Sequence, residues 1–146
     1  KKELKKVPFL SWAMLAAGHI FIDRSNREKA LQSINNIKNS LKKNPRSILI
    51  FPEGTRSLDG KMKPFKKGGV ILSIDTGLPI VPIACCGTFE VLLKGSKNFN
   101  PKPIELRFGA PIHTSSEDLK NRNEITEQVK KAIINLKSEW NNIDNN

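Results

Sequence analysis

Short apolar runs bounded by proline or glycine alternate along this chain with stretches whose apolar residues recur at helical spacing. A compact apolar run between turn signals predicts a strand, whereas apolar residues three and four positions apart predict an amphipathic helix. Strands that alternate with helices indicate an α/β fold, and we expect a mixed, partly parallel sheet flanked by helices. The predicted strands are Ile20–Asp23, Ser47–Phe51, Ile80–Cys86 and Ile104–Phe108.

The predicted helices carry start or stop signals. Gly18 follows the segment Phe9–Ala17 and Gly77 follows Val70–Thr76, and glycine is common just past a helix end. Two longer helices show an apolar face. The first begins behind a capping box formed by Ser25 and Glu28, carries Leu31, Ile34, Ile37 and Leu41, and ends at Asn44-Pro45; the second carries Ile125, Val129, Ile133, Leu136 and Trp140.

The length of 146 residues is enough to bury one core of ordinary size, so we expect a single domain over residues 1–146. The longest mostly apolar stretch, Phe9–Ile22, is shorter than the roughly 20 residues of a membrane span, which favours a soluble or peripheral chain. The adjacent cysteines Cys85 and Cys86 do not suit disulfide geometry, and they indicate a reducing compartment.

Lysine and arginine number 25 against 14 aspartates and glutamates, a formal charge of +11. This excess favours a polyanionic partner: a nucleic acid, an anionic lipid or a phosphorylated small molecule. The basic residues gather in patches, at Lys1–Lys6, Lys61–Lys67 and Lys94–Arg107, although ordinary solvated lysines explain any one patch equally well. A nucleic-acid-binding domain is disfavoured, because tyrosine is absent and the other aromatic residues fall in apolar runs.

The most informative stretch is Phe51–Ser57, at the carboxyl end of a predicted strand, where ligands bind in open α/β sheets. Arg56 is suited to hold a phosphate with two hydrogen bonds, Thr55 offers a hydroxyl, and Gly54 permits close backbone approach. Glu53 is suited to accept a hydrogen bond from a substrate hydroxyl or to brace Arg56. The alternative is a plain surface turn with an ion pair.

The sequence Phe-Pro-Glu-Gly-Thr-Arg-Ser resembles the third signature block of the PlsC-type glycerolipid acyltransferases, the 1-acylglycerol-3-phosphate acyltransferase family. Gly18–Arg24 is similar to the second block and Val81–Ala84 to the fourth, and the family's Lys-Gly-Gly helix start is matched by Lys67–Gly69. Blocks that agree in order are far more specific than one block. The resemblance extends over Val7–Ile112.

The resemblance implies a glycerol-phosphate acyltransferase-like fold and transfer of a fatty acyl chain from an acyl thioester to a lysophospholipid such as lysophosphatidic acid. The donor would be acyl-CoA or acyl-carrier protein as co-substrate, with no bound cofactor and no metal. We expect a location on the cytoplasmic face of an anionic membrane, peripheral or anchored by a further segment. The implied substrate-binding residues are Asp23, Arg24, Glu53, Gly54, Thr55, Arg56 and Lys67.

The family's catalytic block is a histidine and an aspartate separated by four residues, in which the histidine takes the proton of the acceptor hydroxyl. His19 and Asp23 have three intervening residues and fall inside the second block, and His113 is interpreted as a surface residue. We therefore expect the catalytic pair upstream of Lys1, so that this chain keeps the acceptor pocket without turnover. A non-catalytic module that binds lipid phosphates is the alternative.

Overall fold

The computed structural model describes residues 9, 12, 13, 16 and 27–143. The chain divides into two compact units, residues 1–48 and 49–146. Nothing in this division tests the expectation of a single domain, which stays a prediction. The predicted strand Ile20–Asp23 and the Ser25 cap lie outside the described residues, as does most of the predicted helix Phe9–Ala17.

The first unit contains helix α1 (Arg27–Lys43). Its apolar face is set by the helical spacing of leucine and isoleucine, and Ile37 and Leu41 are each only 5% exposed. The helix ends before Asn44-Pro45, as predicted, because the residue before a proline disfavours helical backbone.

The second unit begins its regular structure with helix α2 (Gly68–Thr76), which buries Val70, Leu72 and Ile74. Gly77 ends it in a left-handed conformation with φ of 69°, and its N–H donates to the carbonyl of Ser73 at 2.8 Å. Glycine adopts this conformation without the steric cost that a Cβ imposes. The predicted end of this helix is confirmed.

Strands β1 (Ile83–Cys86) and β2 (Glu105–Phe108) form an antiparallel pair in which Ile83 lies opposite Phe108. Pro82 precedes β1, where its missing N–H costs no ladder hydrogen bond. An isolated antiparallel bridge joins Ile80 to Ile112 beyond the pair. The short helix α3 (Thr88–Val91) lies in the connection between the strands.

Helix α4 (Arg122–Ile143) closes the second unit, and its predicted apolar face is confirmed at its buried positions. Burying an isoleucine or valine side chain contributes about 1.5–3 kcal/mol relative to leaving it exposed. The core cluster consists of Val70, Ile74, Ile125 and Val129, with Phe65, Ile80, Ile112 and Ile133 packed against it.

The charged side of β2 faces helix α4, although its alternating pattern would ordinarily place the apolar side inward. Arg107 is held there between Glu139, at 3.1 Å from Nη1, and Glu105, at 2.8 Å from Nε. Leu106 and Phe108 are 57% and 64% exposed. The charged residues of β2 therefore lie on the side of the strand that faces the helix, and Arg107 pairs there with Glu139.

Two expectations about the sheet are corrected or left unconfirmed. No strand is assigned between residues 45 and 51, and Leu49 and Phe51 are 69% and 66% exposed, so the predicted buried strand Ser47–Phe51 is wrong. A strand needs a hydrogen-bonded neighbour, and residues 27–143 offer this segment none. Parallel pairing is not confirmed either, because the two strands within the described residues pair antiparallel. The mixed helix and strand class is confirmed.

Candidate functional site

The segment Pro52–Lys66, here named the site loop, closes on itself in front of helix α2. The N–H of Lys66 donates to the carbonyl of Pro52 at 2.9 Å, which joins its two ends. The N–H of Gly54 donates to the carbonyl of Phe51 at 3.0 Å and forms a tight turn at its entry. The loop is therefore an organised structure with its ends together.

Glu53 braces the two arms of the site loop. Its side chain is half-buried, and its Oε2 accepts a hydrogen bond from the backbone N–H of Lys63 at 2.8 Å. A hydrogen bond to an ionised carboxylate is stronger than one between neutral groups. Glu53 therefore does not point into bulk water. Its hydrogen bond fixes the opposite arm of the loop, whereas the sequence had allowed a contact between Glu53 and Arg56 instead.

Gly54 occupies a position that favours glycine. Its φ is 72°, a left-handed conformation in which a Cβ is strained. The residue turns the chain directly after Glu53, and it has no side chain to cover the backbone there. Close approach of a ligand to the backbone at this glycine stays a prediction.

Thr55 and Arg56 present their side chains to solvent on the arm that follows the turn. No carboxylate among the described side chains lies within ion-pairing distance of Arg56. The alternative of a surface turn with an internal ion pair is therefore not supported within the described part of the chain. The guanidinium is available to a phosphate, which it can bind through two N–H groups.

Lys67 stands at the junction of the site loop and helix α2. Its carbonyl accepts the N–H of Ile71 at 2.9 Å and its side chain is exposed. The first turn of α2 contains no acidic residue, so the unpaired N–H groups of the helix start and the Lys67 ammonium both favour an anion. The structure thus places Glu53, Gly54, Thr55, Arg56 and Lys67 in or beside one closed loop. Asp23 and Arg24 lie outside the described residues.

His113 and Asp118 have the four-residue separation of the family's catalytic pair, contrary to our expectation that this spacing lies only upstream of Lys1. The pair follows the fourth block instead of preceding the second. The carboxylate of Asp118 accepts the N–H and the hydroxyl of Ser115, at 2.7 and 3.2 Å, and so caps the short 3-10 helix Ser116–Leu119. No hydrogen bond joins it to His113, which is exposed, so this spacing has a structural explanation.

The cysteines have no feature of a nucleophile. Cys86 is completely buried, and this desolvation raises the pKa of its thiol above the ordinary value, despite the opposing charge of Arg107. Cys85 is exposed on the other face of the strand. Among the described residues there is also no cluster of His, Cys, Asp and Glu that could hold a metal ion.

Two residues that support the site loop could not be predicted from the sequence. The Nζ of Lys137, on helix α4, donates to the carbonyl of Gly60 at 3.3 Å. The ring of Phe89 lies 3.3 Å from the position that a Cβ on Gly60 would occupy. Neither residue belongs to a motif, and no sequence spacing connects them with the loop.

Residues 1–86 match the family model described as Acyltransferase. A 1-acyl-sn-glycerol-3-phosphate acyltransferase of Cocos nucifera is 37% identical over 129 residues, which cover 88% of this chain and 42% of the relative. The enzyme of the same name from Saccharomyces cerevisiae is 36% identical over 141 residues, which cover 95% of this chain and 46% of the relative. The chain thus spans less than half the length of these curated relatives.

A solved structure is similar over most of the chain. The crystal structure of the 1-acyl-sn-glycerophosphate (LPA) acyltransferase PlsC from Thermotoga maritima superposes with a TM-score of 0.74 at 28% sequence identity. The match covers 90% of this chain and 51% of that chain.

The brace in the site loop predicts a loss of stability when the Glu53 carboxylate is removed. Glu53→Ala leaves the N–H of Lys63 without its partner, and we expect the free energy of unfolding in urea to fall by about 1–3 kcal/mol. Glu53→Gln keeps an acceptor oxygen and should lose less. Glu127→Ala, at an exposed position of α4, is the control; equal losses in the alanine variants would show that the brace contributes nothing.

Proposed function

This chain belongs to the acyltransferase family, and we propose that its full-length protein transfers a fatty acyl chain from an acyl thioester to the free hydroxyl of lysophosphatidic acid, which gives phosphatidic acid. The plant and yeast relatives carry the name of this activity, and so does the bacterial enzyme of similar structure. Because the chain spans only part of these relatives, the activity is proposed for the whole protein.

The closed site loop is the observation that carries this proposal. It holds an exposed arginine and threonine directly after a glycine turn, beside the start of a helix that is free of acidic residues in its first turn. In our proposal Arg56 binds the acceptor phosphate with two N–H groups, and Lys67 adds a second positive charge. Thr55 and the backbone beside Gly54 then orient the glycerol. Asp23 and Arg24 are proposed to bind substrate on the grounds of the family resemblance alone.

The proposed chemistry is a direct acyl transfer. The free hydroxyl of the acceptor attacks the thioester carbonyl, the carbon–sulfur bond breaks, and the thiol of the donor leaves with a proton while the new ester forms. A histidine and aspartate pair upstream of Lys1 is proposed to remove the hydroxyl proton. The residues of this chain act on the acceptor: they fix the phosphate and so place the hydroxyl for attack.

The acyl donor is a co-substrate and not a resident cofactor. We propose a thioester of coenzyme A or of acyl-carrier protein, both of which are acidic partners that suit a chain of charge +11. The two donors differ in size. Comparing the rates of acyl transfer from the two thioesters, with the same acyl chain, distinguishes which donor the protein uses.

The assignment of Arg56 predicts a specific loss of acceptor affinity. In the full-length protein, Arg56→Ala should raise the KM for lysophosphatidic acid about ten- to a hundredfold, which is the size of a lost hydrogen bond to a charged group. The KM for the acyl donor should change little. Arg56→Lys should recover only part of the loss, because an ammonium cannot form the two parallel bonds.

Arg46→Ala is the matched control, since Arg46 is exposed and its guanidinium donates to Ser40 at 2.8 Å. If Arg56→Ala changed the donor KM and left the acceptor KM unaltered, the acceptor site would have to lie elsewhere. Acceptor binding without any turnover in the full-length protein would favour the non-catalytic module.

We also propose that the protein works at the cytoplasmic face of an anionic membrane, peripherally or through an anchor beyond these residues. Within the described residues, no helix combines the length and apolar character needed to cross a bilayer. The support comes from the site loop, where Leu58 is 70% exposed and Lys61 and Lys66 are also exposed. An apolar side chain beside lysines suits the boundary between headgroups and acyl chains.

This proposal predicts charge-dependent binding to vesicles. Replacing Lys61 and Lys66 together with Gln should weaken binding to phosphatidylglycerol vesicles about thirtyfold, at about 1 kcal/mol for each charge near the surface. The control replaces the exposed Lys120 and Lys131 in the same way. Cosedimentation is the measurement, and equal losses in the two pairs would exclude a specific role for the site loop.

A further inference from the structure

The outer end of the site loop rests on the closing helix of the same unit. A turn at Asp59–Lys61 forms this end, where the N–H of Lys61 donates to Oδ1 of Asp59 at 3.1 Å. At the middle of the turn the carbonyl of Gly60 accepts the Nζ of Lys137 at 3.3 Å. Lys137 is half-buried on α4, and its ammonium has a hydrogen-bond acceptor in the carbonyl of Gly60.

Phe89 holds the same residue by packing. Gly60 has a φ of 74°, and the nearest three ring carbons of Phe89 lie 3.3–3.5 Å from the place of a missing Cβ. Any other residue here would combine backbone strain with crowding against the ring. The turn is therefore held by a charge-assisted hydrogen bond and by an aromatic ring that fits only a glycine without rearrangement.

We infer that Lys137 is a positioning residue of the acceptor site, acting through Gly60. The inference rests on the proposed function, because it concerns the loop to which we assign the acceptor phosphate. The arm that carries Thr55 and Arg56 runs between two fixed points, the Glu53 brace and the Gly60 turn. Lys137 fixes the second of these points.

Lys137 affects acceptor binding because it raises the fraction of molecules in which the loop has the binding-competent conformation. Between the two fixed points Thr55, Arg56 and Leu58 are exposed, so the arm has little packing of its own to hold it. If the turn at Gly60 is released, the arm samples more conformations, and the apparent affinity falls by the fraction of time spent in the competent one. A residue that never touches the substrate can thus control acceptor KM.

The inference also assigns a task to the part of the chain beyond the family model. The match to that model ends at residue 86, whereas Phe89 and Lys137 follow it. Helix α4 then does more than pack against the core, since its Lys137 ammonium contacts the loop that contains the third block.

Hydrogen exchange tests the clamp without reference to activity. Lys137→Met keeps the aliphatic stem and removes the donor, and we expect exchange at the hydrogen-bonded amides of Gly54, Lys61 and Lys63 to become about tenfold faster. Lys137→Arg keeps a charged donor and should restore protection. Lys131→Met, on an exposed position of the same helix, should leave exchange unchanged. The amides of β1 report whether the whole unit is destabilised.

Gly60→Ala provides a second variant that leaves Lys137 in place. Crowding against Phe89 and backbone strain should displace the turn, so exchange at the amides of Gly54, Lys61 and Lys63 should again increase. Unchanged exchange in Lys137→Met would overturn the inference.

Kinetics of the full-length protein then separate positioning from mere structural support. Lys137→Met should raise the KM for lysophosphatidic acid by about the same tenfold factor, with kcat little changed. Faster exchange with an unaltered KM would also overturn the inference. If the wild-type protein does not acylate lysophosphatidic acid at all, the proposed function fails, and the exchange experiment still decides whether Lys137 holds the loop.

Discussion

The hydrogen bond from the backbone of Lys63 to the carboxylate of Glu53 is the interaction on which the candidate site depends. It ties together two arms of a loop that otherwise has little regular structure. Together with the closure between Pro52 and Lys66, it converts a basic and flexible sequence into a fixed frame. In our proposal, such a frame holds Arg56 ready for the acceptor phosphate and so lowers the entropic cost of binding.

Helix α4 also supports this frame, through a contact with the Gly60 turn. Its apolar face packs in the core through Ile125 and Val129, its Glu139 pairs with Arg107 of the sheet, and its Lys137 reaches the outer turn of the loop. One helix therefore links the core, the sheet and the site loop within the second unit. Changes on this helix should for that reason reach a site that it does not itself form.

Local signals explain which parts of this structure could be predicted from the sequence. The end of helix α2 could be predicted from Gly77, because a single glycine in a left-handed conformation commonly ends a helix. The structure of the segment Ser47–Phe51 could not be predicted, because strand formation depends on a neighbouring strand whose position a sequence pattern does not specify. The partner of Glu53 is a backbone amide, and Lys137 contacts Gly60 from a helix that is distant in the sequence. Neither contact could be predicted, because neither produces a recognisable pattern of residue spacing.

The central claim is that the site loop binds a phosphorylated glycerol, and the most direct test is a titration of the isotopically labelled protein with glycerol 3-phosphate followed by NMR. The account predicts that the largest changes in amide chemical shift occur at Gly54, Thr55 and Arg56, and that glycerol without phosphate produces none of them. Shifts that spare these three amides, or that are equal with plain glycerol, would contradict it.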